Sequence, residues 1–130
     1  AIEDLEGDYF FQYQNWQNLL LEIAINPTRV NETELFDGNE LQVLSCLQQL
    51  LTEGIKLKVL KSDSANLELN KVIEKTSQGY LFKLLDDTSR AIALSKTTVN
   101  MKLLLDNVLI VWSHITHLKH YPTITHTQEF

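Results

Sequence analysis

The sequence predicts an all-α domain, a compact bundle of about five or six helices, and three observations carry that expectation. Apolar residues recur at three-and-four spacing through most of the chain, the signature of helices with one buried face. Only four Gly and two Pro interrupt it, and β-branched runs that would favour strands are few. At 130 residues, 44% hydrophobic and 22% charged, the chain is most simply one globular domain. A domain of this size buries roughly two thirds of its unfolded surface and folds on a single core.

The first helix is expected from Asp8 to about Ile25, with Phe11, Trp16, Leu19, Leu20 and Ile23 on its apolar side. Residues 1–8 are read as an extension outside the bundle and a candidate for disorder. "INPT" ends this helix, because the residue before Pro27 avoids the α region. A short helix is expected from Pro27 to Phe36 with proline in its first turn, and "DGN" at 37–39 then breaks the chain. The third helix carries Leu41, Leu44, Leu47, Leu51 and Ile55, with Gly54 as its weak point.

"KSDSAN" at 61–66 reads as a turn in which Asn66 or Ser64 caps a fourth helix, Leu67 to Thr76. "SQG" separates this from a fifth, Tyr80 to about Lys96, striped by Leu81, Leu84, Leu85 and Ile92. "TTVN" introduces a sixth helix from Asn100 to about Lys119. The tail "YPTITHTQEF", 121–130, is expected to be loosely ordered.

Charge and motif content narrow the function classes. Seventeen acidic residues against eleven basic ones give a net charge of -6, whereas a nucleic-acid-binding domain usually presents a basic face. The nearest basic group is the loose set Lys56, Lys58 and Lys61, so direct DNA or RNA binding is disfavoured. The acidic start "AIEDLEGDYFF" is not that of a secretory leader. A chain opening on Ala1 is expected to be a fragment or a processed form. The single cysteine, Cys46, excludes an internal disulfide framework and a four-cysteine zinc site; among leucines it reads as a small buried residue. No GxxxxGK[ST], GxSxG, GxGxxG, CxxC or HExxH occurs, so catalytic, cofactor-binding and metal-binding residues are all read as none.

The most apolar stretch, "NMKLLLDNVLIVWSHI" at 100–115, raises the question of a membrane span. A spanning helix needs about 20 mostly apolar residues, and the run from Met101 to Trp112 is interrupted by Lys102, Asp106 and Asn107. It reads instead as an amphipathic helix. At about 100° per residue, Met101, Leu104, Leu105, Val108, Val111, Trp112, Ile115 and Leu118 share one broad stripe. Three apolar residues fall outside it: Leu103, Leu109 and Ile110. Leu103 and Ile110 lie about 20° apart on the otherwise polar side, in register on one face as a second packing partner would require. Ordinary surface exposure is the competing account, since isolated exposed apolar residues are common. The candidate subunit interface is therefore Leu103, Asp106, Asn107, Ile110 and His114.

Two further groupings invite chemistry. His114, His117 and His120 recur every third residue, but that spacing drifts about 60° per step on a helix. Only neighbouring pairs then share an ion, and no fourth ligand stands close in sequence; histidines near a helix C-terminus also complement its dipole. Asp86, Asp87 and Arg90 read as a solvated acid pair with a helical ion pair.

The run "ANLELNKVIEKTSQGYLFKLLDDTSRAIALSKTTVNMKLLLDNVLIVWSHI" resembles the C-terminal domain of the delta-prime subunit of bacterial DNA polymerase III, part of the clamp loader. The shared pattern is a helix ending near a Ser-containing break, then a helix with Asp87 and Arg90. After a short loop comes an Asn followed by the leucine-rich helix "NMKLLLDNVLIVW". The resemblance covers about residues 65–116; the first 60 residues agree mainly in helix pattern and length.

It implies that residues 9–120 form a collar, an oligomerisation domain without chemistry of its own, which in the full-length protein follows two AAA+-like domains. It also implies a cytoplasmic setting. The implied partners are the gamma/tau and delta subunits through their C-terminal domains, with DNA engaged only through the assembled complex and no membrane contact. The alternatives from other classes are a free-standing helical regulatory adaptor and a metal-binding helical domain built on the histidines.

Overall fold

The structure, a computed structural model, describes residues 2–29, 36–97 and 100–123, with side chains described from Gln12 onward. Among these residues there are five α-helices and no strand: α1 (Ile2–Ile25), α2 (Glu40–Leu60), α3 (Leu67–Lys75), α4 (Gln78–Leu94) and α5 (Met101–Ser113). The expected all-α bundle is what forms. Helix α2 is its axis and packs against each of the other four, while α5 rests on α1, α2 and α4.

Helix α1 begins at Ile2, six residues before the expected start, so residues 2–8 continue the helix rather than extend from it. Gly7 costs about 1 kcal/mol in a helix interior without breaking it. Trp16, Leu20, Leu21, Ile23 and Ala24 are buried. The helix ends as expected before Pro27, where Asn26 takes over: its side-chain oxygen accepts the Thr28 hydroxyl at 2.7 Å. Residues 27–29 form one 3₁₀ turn. The rest of the short helix expected as far as Phe36 lies outside the described residues, apart from buried Phe36 itself.

The break at "DGN" is made by Gly38, whose φ of 83° suits a residue without Cβ. Along α2 the buried side is Val43, Leu44, Cys46, Leu47, Leu50, Leu51, Ile55 and Leu57. Leu41, counted on the expected stripe, is instead 40% exposed, in the first turn of the helix. Gly54 also makes a close contact: a Cβ there would stand 2.3 Å from Cδ1 of Ile73 on α3. Helix α2 closes with Lys61 left-handed at φ 53°. The Ser62 amide reaches the Leu57 carbonyl at 3.0 Å and that of Lys61 the Lys58 carbonyl at 3.3 Å, which satisfies the terminal carbonyls.

Asn66 caps α3, its side-chain oxygen accepting from the amides of Glu68 and Leu69 at 3.1 and 3.3 Å. Ser64 supports the cap by accepting the Asn66 amide at 3.0 Å. Helix α4 starts at Gln78, so Gly79 lies inside its first turn, and it ends at Leu94 rather than Lys96. It buries Leu81, Leu84, Thr88 and Ala91, with Leu85 and Ile92 partly covered.

Helix α5 stops at Ser113, well short of the expected Lys119. Ser, His, Ile, Thr and His, residues 113–117, are all modest helix formers. There the bonding tightens to the i−3 pattern of a 3₁₀ turn: the His114 amide reaches the Val111 carbonyl at 3.1 Å and that of Ile115 the Trp112 carbonyl at 3.2 Å. Ile115 still enters the core, 1% exposed, so the stripe outlasts the helix.

The first part of the tail is seated rather than loose. The Tyr121 hydroxyl donates to the Asp87 carboxylate at 2.5 Å, and its ring lies 6.1 Å from that of Tyr80. The Lys83 ammonium stands 5.7 Å from the same ring. Residues 124–130 of the expected tail lie outside the described residues.

Candidate subunit interface

What α5 presents to solvent depends on how firmly its inner face is held. Asn100 caps it by accepting the Leu103 amide at 3.2 Å. At the other end the Trp112 indole N–H donates to the Leu20 carbonyl of α1 at 2.6 Å, inside the core. Leu104, Leu105, Val108, Val111 and Trp112 are buried, as their shared stripe required. Leu109 is buried completely, against its placement with the leftover apolar residues. Because α5 touches three helices, the covered arc extends past the edge of a stripe drawn for one partner.

Leu103 and Ile110 remain outside, 44% and 55% exposed. Asp106 and Asn107 between them are half-buried, and His114 at the C-cap is exposed. By helical phase all five candidates share one face of about 100°. The Lys102 ammonium at its edge pairs with Asp37 at 3.8 Å, tying the start of α5 to the segment that leads into α2. The Asp106 carboxyl is held above the ordinary carboxylate value by burial first; Asp37 and Glu40 push the same way and Lys102 opposes. Acidic groups therefore gather near Asp106, on one side of this face.

The other groupings come apart. With α5 ending at Ser113, His114, His117 and His120 lie on a chain of turns and are all exposed. Among the described residues no three His, Cys, Asp or Glu side chains come together to hold a metal ion. Asp86 and Asp87 divide: Asp86 pairs with Arg90 at 2.9 Å in solvent, whereas Asp87 is 8% exposed and receives the Tyr121 hydroxyl. Cys46 is buried on α2, its thiol pushed up to about 11 by burial, with a contact to Tyr13 opposing.

Sequence reasoning missed two surfaces. The first is a scatter of exposed apolar side chains away from α5: Ile25, Leu41, Val59, Leu60, Leu67 and Phe82. The second is an open polar cleft of about 700 Å³ whose walls include Tyr13, Gln48, Gln49, Thr52, Lys56 and Ser89. Its groups largely serve each other: the Tyr13 hydroxyl donates to Gln49 Oε1, and the Gln48 amide donates to the Ser89 hydroxyl at 3.0 Å. Both depend on residues from different helices, which no local periodicity reports.

No helix among the described residues is long and apolar enough to cross a membrane. Comparison with protein-family models, curated proteins and solved structures found no match.

Proposed function

We propose that this chain is a subunit-assembly domain of the collar kind that ends the delta-prime subunit of the bacterial clamp loader. In that role it supports sliding-clamp loading in DNA replication, in the cytoplasm, and performs no chemistry itself. Its partners are the C-terminal domains of the gamma/tau and delta subunits, and DNA is met only through the assembled complex.

The observation that carries the reading is α5 as a helix with two apolar sides. One side is closed into the bundle through Val108, Trp112 and their neighbours, and the other leaves Leu103 and Ile110 in solvent. Contacts of this type, apolar centres within a polar surround, are how subunits in closed rings meet. The order of helices α3, α4 and α5 over the stretch that resembles the delta-prime family supports the same reading. So does a net charge of -6, which suits a protein partner better than a phosphate backbone.

Mixing the chain with folded gamma/tau and delta C-terminal domains and following size-exclusion elution tests the proposal. Co-elution at tens of micromolar, on the order of affinities expected for one ring contact, is the expected result. Separate elution of all three proteins would oppose it.

A further inference from the structure

The interface face has a sign as well as a shape. Leu103 and Ile110 stand exposed on α5, and beside them Asp106 lies within electrostatic range of Asp37 and Glu40. Among the described residues Lys102, paired with Asp37 at 3.8 Å, is the cation acting on Asp106. Among the described residues, three carboxylates against one ammonium leave the Asp106 side of this face negative. A partner that covered Leu103 and Ile110 with acidic or neutral flanks would bring those carboxylates together or strip their water without return. A second copy of this chain meets the first objection directly, since it carries the same acidic side and the same net charge of -6.

We infer that the Leu103–Ile110 face receives a partner helix whose apolar residues are flanked by Lys or Arg. This deepens the assembly reading by naming the chemistry of the partner, and it rests on the same face being an interface. The two apolar side chains give the contact its area, while the acidic side selects among amphipathic helices and speeds encounter. Asp106, half-buried before any partner arrives, is the carboxylate for which a cation would do most.

The test uses two synthetic amphipathic helical peptides with identical apolar stripes, one flanked by lysines and the other by glutamates. Methyl NMR spectra of the whole chain are followed as each is added. The lysine peptide should shift the Leu103 and Ile110 methyls, the glutamate peptide should not, and Ile110→Asp should abolish the response. Asp37→Asn with Asp106→Asn should weaken lysine-peptide binding about tenfold, as should raising salt from about 50 to about 300 mM.

Equal binding of both peptides, binding insensitive to the two Asn substitutions, or no binding of the lysine peptide would overturn the inference. So would self-association in sedimentation that Ile110→Asp removes. The clamp-loader reading is judged separately. Lysine-peptide binding without gamma/tau or delta binding removes that reading and keeps this one, and the reverse pattern does the opposite.

Discussion

The indole N–H of Trp112 on α5 donates to the backbone carbonyl of Leu20 on α1 at 2.6 Å, joining residues 92 positions apart inside the core. Trp112 is 1% exposed and Leu20 is fully buried, so this bond fixes the roll of α5 against α1. It thereby decides which residues α5 turns outward. Trp112→Phe removes the donor and part of the ring volume, and should cost about 2 kcal/mol. Urea unfolding should show a lower midpoint with an unchanged slope; a changed slope would mean that the bundle itself had loosened.

Gly54 on α2 faces Ile73 on α3 with no room for a Cβ between them. Ala is a better helix former than Gly by about 1 kcal/mol, yet its Cβ would lie 2.3 Å from Ile73 Cδ1. Gly54→Ala alone should therefore destabilise by about 1 kcal/mol, from crowding in a filled core. In an Ile73→Val background, which lacks Cδ1, the same substitution should turn stabilising. Thermal or urea midpoints of the four proteins in this cycle check the change of sign.

Tyr121 holds the tail to α4, and burial with the Asp87 bond raises its hydroxyl pKa well above the ordinary 10.0. A raised folded pKa means that the stabilisation is complete below pH 10. It is lost as pH rises further, because the unfolded chain releases its proton first. Tyr121→Phe should cost about 1 kcal/mol at neutral pH. The gap between the two proteins should shrink above about pH 10, which chemical unfolding across that range measures.

Cys46 is fully buried with its thiol raised to about 11, so it presents neither access nor thiolate at neutral pH. Labelling by a thiol reagent should proceed only through opening of the α2 region and should slow on stabilisation of the fold. Rapid stoichiometric labelling of the native protein would contradict the packing described for α2.

Much of the helical frame could be read from local signals because local physics sets it. Asn66 and Asn100 cap where a short polar side chain precedes a leucine run, Pro27 ends α1, and Gly38 turns the chain ahead of α2, both through backbone constraint. The end of α5 was overrun because Ile115 and Leu118 keep the apolar period after the hydrogen bonding has changed. Leu109 was misplaced because a single-partner stripe was drawn for a helix that meets three neighbours. Asp87 could not be told from Asp86 because its partner, Tyr121, is 34 residues away. On the candidate interface, the exposure of Leu103 and Ile110 followed from helical phase. The acidic groups around Asp106 did not, since Asp37 and Glu40 lie far earlier in the chain and meet α5 only in the fold.

The account turns on whether the outer face of α5 is a binding surface, and paired substitutions measure that most directly. Binding of the gamma/tau and delta C-terminal domains should fall at least about tenfold with Ile110→Asp, a loss of about 1.4 kcal/mol, while helical circular dichroism is retained. Leu60→Asp, at a residue 71% exposed on α2, should leave binding unchanged, and Val108→Asp, at a fully buried position, should unfold the domain. Undiminished binding by a folded Ile110→Asp protein, or unfolding as severe as that of Val108→Asp, would contradict it.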